Sequence, residues 1–151
     1  MSPRKLAILV LRLGLSAMFL YAAYTKLTVS YLVFAMSIDA YQILPSSAVL
    51  GVARTLPWLE LAVGLWLLTG WRVAPAALTA TLILGGFFSL MALTWGKGMA
   101  IDCGCFGLGE ALTWKTLLRD GTLVAAAGVL TGLAWRKRHD TLTDSARITD
   151  I

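Results

Sequence analysis

VAPAALTATLILGGFFSLMALTW, residues 73–95, runs its whole length without one charged side chain. At about 1.5 Å of rise per residue, a helix over such a run crosses the roughly 30 Å hydrocarbon core of a bilayer. Val73 to Trp95 therefore reads as a membrane span, and with it the chain reads as a helical membrane protein. Pro75 falls in the first turn, where a helix tolerates it. Ala77, Thr81, Gly85 and Ser89 recur every four residues, which places small side chains on one face where a neighbouring helix can come close.

The flanking stretches repeat the pattern. Upstream, Gly70-Trp71-Arg72 forms a very short turn. Before it lies a span from about Val49 to Trp71, with Arg54, Pro57 and Trp58 near its start and Glu60 inside its apolar part. Pro57 is expected to kink this helix or to mark the first turn of its regular part. Leu6 to Tyr24 is apolar apart from Arg12 and Ser16, and its 19 residues rise about 28 Å. No A-x-A site follows it, so it reads as a retained anchor rather than a signal peptide. Arg12 is close enough to the inner end to snorkel to that surface. Thr25 to Pro45 is short for a span and carries Asp39, with Ser30, Ser37 and Tyr41 on a narrow polar stripe. It reads as a helix at the outer interface or re-entrant in the bundle.

Downstream, Gly96 to Thr113 is a turn-rich loop. The fourth span begins near Trp114, holds Lys115, Arg119 and Asp120 in its first turns, and is apolar from Gly121 to Trp135. Gly121, Ala125, Gly128 and Gly132 make a second small-residue stripe, with Gly128 and Gly132 at GxxxG spacing; packing within the bundle and association of copies both stay open for it. Arg136-Lys137-Arg138-His139 stops the span. The expected architecture is all-α: a bundle of four transmembrane helices with a short extra helix in the first outer loop. Residues 1–139 form one membrane domain, and 140–151 a polar, irregular cytoplasmic tail.

Composition agrees. Of 151 residues, 58% are hydrophobic and 14% charged, against roughly 25% charged for a soluble domain. The net charge of +5 does not point to nucleic acid, because the basic residues sit at span ends. With the N-terminus, the Trp71–Arg72 turn and the tail in the cytoplasm, that side holds Arg4, Lys5, Arg72, Arg136, Lys137, Arg138 and Arg147. The other side holds Lys26, Arg54, Lys97, Lys115 and Arg119. The expected location is a bacterial plasma membrane, with both termini cytoplasmic and residues 96–113 extracytoplasmic. Tyr21, Tyr24, Trp58, Trp71, Trp95, Trp114 and Trp135 fall at span ends and read as interfacial anchors rather than a quinone-stacking site.

The chemistry concentrates in Asp102-Cys103-Gly104-Cys105-Phe106-Gly107, which holds both cysteines of the chain. A disulfide between cysteines at i and i+2 closes a small ring, and a bond held away from its preferred torsion is more easily reduced. Gly104 gives the backbone turn angles closed to other residues. Asp102 disfavours a thiolate by like-charge repulsion, Lys97 and Lys115 could offset it, and neither Cys103 nor Cys105 is singled out as the attacking thiol. Three readings stay open at this point: a redox-active pair, a structural disulfide on a membrane scaffold, and metal handling. Two thiolates are too few for a closed zinc site, and His139, the single histidine, lies on the other side of the membrane in this topology. Copper(I) could use the two thiolates with Met99. No metal site is assigned.

Several stretches together resemble the MauE/DoxX family of small four-span bacterial membrane proteins, and more closely its MauE-like branch. They are Lys26 after the first span, Phe34 and Tyr41 through Leu44-Pro45, Leu56-Pro57-Trp58-Leu59-Glu60-Leu61 with Gly64, and Cys-x-Cys-Phe-Gly at Cys103 to Gly107. The resemblance implies a redox-associated membrane protein linked to maturation of methylamine dehydrogenase. It also implies a thioredoxin-like extracytoplasmic partner similar to MauD, and a role in forming, isomerising or reducing disulfides of exported proteins. The layout is also similar to disulfide-generating oxidases of the DsbB and vitamin K epoxide reductase type. Those relay electrons between two cysteine pairs and a quinone. This chain has one pair, so Cys103 and Cys105 would exchange directly with a partner and then with a quinone or a second protein.

Glu60 is the most informative charge within a span, since an intramembrane carboxylate is costly unless paired or functional. Counting along the helices puts it about 17 Å from the inner end, against about 24 Å for Arg119. A Glu60–Arg119 pair is expected first, with Lys26 as the alternative partner.

Overall fold

The structure is a computed structural model that describes residues 3–98 and 111–149, with side chains described as far as Arg136. Five helices follow one another: α1 (Pro3–Leu27), α2 (Tyr31–Asp39), α3 (Ser46–Thr69), α4 (Val73–Gly96) and α5 (Trp114–Thr149). Four are long and apolar enough to cross a membrane: α1, α3, α4 and the Trp114–Arg136 part of α5. The protein is thus an all-α, multi-pass membrane bundle with one additional short helix.

Packing is closest within two pairs, α1 with α3 and α4 with α5, and the pairs meet through α1–α5 and α3–α4 contacts. Leu15 and Phe19 of α1, Val63 and Leu67 of α3, Ala76, Ala77 and Ala80 of α4, and Ala127 and Leu130 of α5 form the central core. Without a hydrophobic gain between helices in lipid, close approach and buried hydrogen bonds decide the pairing. Gly64 supplies the approach between α1 and α3. A side chain there would come 3.2 Å from the backbone nitrogen of Leu20, and the Ser16 hydroxyl donates to the Gly64 carbonyl at 2.8 Å. Between α4 and α5 the hydroxyls of Thr81 and Thr131 meet at 3.0 Å.

Contacts at the two ends fix the directions. The Arg4 guanidinium donates to the Leu133 carbonyl at 3.1 Å, so the start of α1 lies beside the far half of α5. Arg12 lies against Gly70, the left-handed residue (φ 72°) that ends α3. The start of α1, the α3–α4 turn and the later part of α5 therefore share one end. At the opposite end α2 packs Phe34 and Ala35 against Val49, Ala53 and Leu56 of α3. There too, Tyr41 packs with Met91 of α4, Leu112 and Leu117.

Some details differ from the sequence reading. The first helix runs past Tyr24 to Leu27, and near its end Thr25 and Thr28 return their hydroxyls to carbonyls of the preceding turn. The second long helix starts at Ser46, and Pro57 lies buried well inside it rather than near its beginning. Pro57 has no N–H to give to the carbonyl four residues back. Helix α2 covers only nine residues, about 13 Å, too short to span. Helix α5 continues to Thr149 through the stretch expected to be irregular. Its Lys, Arg, Leu and Ala residues are good helix formers, and the membrane-spanning part supplies a ready nucleus. Most of the α5 small-residue stripe faces out of the bundle: Ala125, Gly128 and Gly132 are exposed, and side chains at the two glycines would meet nothing.

Candidate functional site

The Lys26–Glu60 pair sits where α1 ends. Lys26 occupies the last turn of α1, and Glu60 lies beside it on the closely packed α3. Lys26 Nζ donates to Glu60 Oε1 at 2.6 Å and to Oε2 at 2.8 Å. Both side chains are buried, at 3% and 6% exposure. The ammonium also stands 5.6 Å from the centre of the Phe34 ring of α2, within cation–π range. Three helices thus converge on one amine.

Glu60 is therefore not paired with Arg119, the partner expected first; the alternative, Lys26, holds it. Counting depth along separate helices could not see that α1 lies directly against α3, which places Lys26 level with Glu60. Arg119 bonds instead to its neighbour Asp120, from Nε to Oδ1 at 2.9 Å and from a terminal nitrogen to Oδ2 at 3.4 Å. The Asp120 side chain is buried, whereas that of Arg119 is 36% exposed.

These two ion pairs border one cavity of about 30 Å³. Lys26, Glu60 and Asp120 are among its lining residues, but the surface it exposes is almost entirely apolar, with Met18, Phe19, Phe87 and Met91 contributing. Asp120 is the functional candidate that sequence reasoning passed over. It stood out only as a charge in the first turns of a span, yet an acid beside Arg119 inside an apolar helix is itself a signal. Chemically, the arrangement offers two carboxylates, each bonded to its own cation, beside a small and mainly apolar internal space. Among the described residues no group of three or more His, Cys, Asp or Glu gathers as a metal site.

Asp102, Cys103, Gly104, Cys105, Phe106 and Gly107 lie outside the described residues. The chain on either side of them is placed. Met91, one turn before the end of α4, and Leu112, just before α5, pack together with Tyr41 at the α2 end.

Residues 4–133 match the family described as Methylamine utilisation protein MauE. The chain is 35% identical over 127 residues to the "Methylamine utilization protein MauE" of Paracoccus denitrificans, covering 82% of this chain and 68% of the relative. It is 38% identical over 120 residues to the protein of the same description from Paracoccus versutus, covering 78% of this chain and 64% of the relative. No solved structure matches the chain.

Proposed function

Since the chain belongs to the MauE family, we propose that it acts in methylamine utilisation as an integral membrane thiol–disulfide redox factor. In this reading the connection between α4 and α5 presents Cys103 and Cys105 on the extracytoplasmic side of a bacterial plasma membrane. The partner is a thioredoxin-like protein of the MauD kind, and the clients are exported proteins whose disulfides must be formed, isomerised or reduced.

The observation that carries the reading is the cysteine pair itself: the only two cysteines of the chain, separated by one glycine, between two membrane spans. The fold adds that the flanks of this connection pack at the end away from the Arg12–Gly70 contact. The larger share of basic residues lies toward the Arg12–Gly70 end, which favours a cytoplasmic location there and an oxidising compartment for the cysteines.

Exchange with a partner disulfide then runs in two steps. One cysteine thiolate attacks a partner sulfur, forming a mixed disulfide and freeing a partner thiolate. The second cysteine thiolate attacks the first cysteine's sulfur in that bond, closing Cys103–Cys105 and leaving the partner a dithiol. Two electrons and two protons pass from the pair to the partner, and the reverse sequence oxidises one. Repeated turnover requires a second couple, either another dithiol/disulfide protein or a membrane quinone.

The test is to replace Cys103 or Cys105 singly by serine in cells and trap thiols with an alkylating agent. The expected result is a mixed disulfide with a thioredoxin-like protein in at least one single variant and none in the double variant. A Cys103–Cys105 bond that resists mild reductant, with no trapped partner in either single variant, refutes the redox reading and leaves a structural disulfide.

A further inference from the structure

At the end of the bundle away from α2, the α3–α4 turn is recessed. Gly64 meets Ser16 and Leu20. Further along this antiparallel pair, Gly70 therefore comes level with residues 10–14 of α1, and the Arg12 contact at Gly70 agrees. Helix α1 thus runs on about 13 Å past the turn, from Leu11 to Pro3. Helix α5 runs past it as well, since Arg4 is bonded to Leu133 and α5 continues to Thr149. The floor of the recess is Gly70-Trp71-Arg72. Its shape is held by the Trp66 indole, which donates to the Trp71 carbonyl at 2.8 Å, and by left-handed backbone at Gly70 and at Arg72 (φ 47°).

Cations gather at this end. Arg4, Lys5 and Arg12 come from α1, Arg72 from the turn and Arg136 from α5. The carboxylates among the described side chains, Asp39, Glu60 and Asp120, belong to the other half of the bundle. Asp140 is the next acid along α5. It lies past Leu133, the level of Arg4, whereas Arg12 lies further into the bundle than Arg4, so the two are about 22 Å apart along the axis. Arg12 is the informative cation. Its Nε is buried, yet it has no hydrogen-bond partner among the described residues. One of its terminal nitrogens lies so close to Gly70 that a side chain there would collide with it. Arg72 is exposed, and its guanidinium stands 5.5 Å from the centre of the Trp71 ring. A guanidinium without an acceptor is costly in an apolar bundle, and its planar fork of donors matches the oxygens of a phosphate. Helix α4 begins beside the turn with no side-chain cap and no acidic residue in its first turn, so the positive end of its dipole adds to the same place.

We propose that Arg12 and Arg72 hold the phosphate of one anionic phospholipid from the leaflet at this end, seated in the recess over the Gly70–Trp71 turn. Arg4, Lys5 and Arg136 add positive charge around it and set a preference for a head group of net negative charge over a zwitterionic one. A lipid fits the recess better than a free phosphate, because apolar surface begins where the cations end. Leu13, next to Arg12, and Leu68, just before the turn, are exposed, as is Trp71. Acyl chains lie against the two leucines while the indole sits at head-group level. Basic pockets between transmembrane helices are known seats of anionic head groups. The site uses no residue of the cysteine connection or of the Lys26–Glu60 pair.

The experiment is native mass spectrometry of the full chain in detergent, titrated with phosphatidylglycerol and with phosphatidylcholine of the same acyl chains. The wild type is expected to retain one phosphatidylglycerol about tenfold more tightly than phosphatidylcholine. Arg12→Gln and Arg72→Gln are each expected to weaken phosphatidylglycerol binding by about fivefold. Arg54→Gln, which removes an exposed arginine at the opposite end, is expected to leave it unchanged. Inorganic phosphate in large excess is expected to leave the lipid bound. Should Arg12→Gln fail to fold, Arg72→Gln on the exposed turn carries the test. Equal retention of the two lipids, or a loss in Arg54→Gln as large as in the variants of the turn, overturns the proposal in favour of general surface charge. Displacement of the lipid by inorganic phosphate overturns it in favour of a free-anion site.

Discussion

Replacing Lys26 by methionine keeps most of the side chain's volume and removes its charge. The structure sets what is lost: two short charge-assisted hydrogen bonds to Glu60 and the contact over Phe34, all in a site with side chains 3% and 6% exposed. Removing one partner of a buried pair leaves an uncompensated charge and costs about 3–5 kcal/mol. Glu60 has one way to soften this, by taking up a proton. The expected cost of Lys26→Met is therefore near the lower end, about 3 kcal/mol, a factor of roughly 100 in the folded-to-unfolded ratio. Replacing both partners, in a Lys26→Met/Glu60→Leu variant, removes the buried charge altogether. Such replacements are neutral or stabilising in many proteins, so the double variant is expected within about 1 kcal/mol of the wild type. The coupling between the two positions is then about 3 kcal/mol or more. Unfolding by increasing SDS in mixed micelles, followed by the fluorescence of the six tryptophans, measures all three variants against the wild type. The reasoning is refuted if Lys26→Met costs less than about 1 kcal/mol, or if the double variant loses the sum of the two single losses.

Gly64→Val places its side chain against Leu20 and beside the Ser16 hydrogen bond, where a Cβ alone would stand 3.2 Å from the Leu20 backbone nitrogen. It is expected to cost about 1–3 kcal/mol in the same unfolding assay, well above Gly128→Val, whose site is open. Gly70→Ala forces a side chain into a left-handed position beside Arg12, and a loss of about 1 kcal/mol is expected, seen as a lower thermal midpoint. Phe34→Ala removes the ring that packs on Val49, Ala53 and Leu56 and covers Lys26. Faster hydrogen exchange confined to α2 is the expected outcome, with α4 and the spanning part of α5 unchanged.

The four spans were legible because long apolar runs with few charges admit few other readings, and the structure places helices over each. What sequence could not supply was which helices are neighbours. In lipid a small-residue stripe looks the same whether it meets another helix or the bilayer, since neither choice changes its composition. Ala77 and Thr81 turned out to face α5, while Gly128 and Gly132 face outward. The same gap explains the mispairing of Glu60. Depth along a helix can be counted from sequence, but azimuth and adjacency cannot, and Lys26 reaches Glu60 only because α1 lies against α3. Asp120 was hidden for a related reason: its burial depends on which face of α5 turns inward. The cysteine chemistry stands apart, since its strongest support is the motif and the family rather than any packed neighbour.

One buried pair also accounts for how a nine-residue helix is held in place. The outward side of α2, with Tyr31, Leu32 and Met36, is exposed, and its inward side rests mainly on the first turns of α3. Its tie to α1 runs through Phe34 and the Lys26 ammonium, which Glu60 orients. Apolar side chains alone would let α1 slide against α3, because in lipid one register buries little more than another. The ion pair adds to the Ser16–Gly64 hydrogen bond in singling out one register near the α2 end, and Phe34 carries that choice to α2. Stability and specificity should therefore separate in the Lys26→Met/Glu60→Leu variant. Its unfolding free energy stays near the wild type, while hydrogen exchange in α2 quickens and its NMR resonances multiply. A double variant that is stable and has a single, well-protected α2 would show that the Gly64 approach and the Ser16 hydrogen bond suffice to set the register, and that the charges are kept for another purpose.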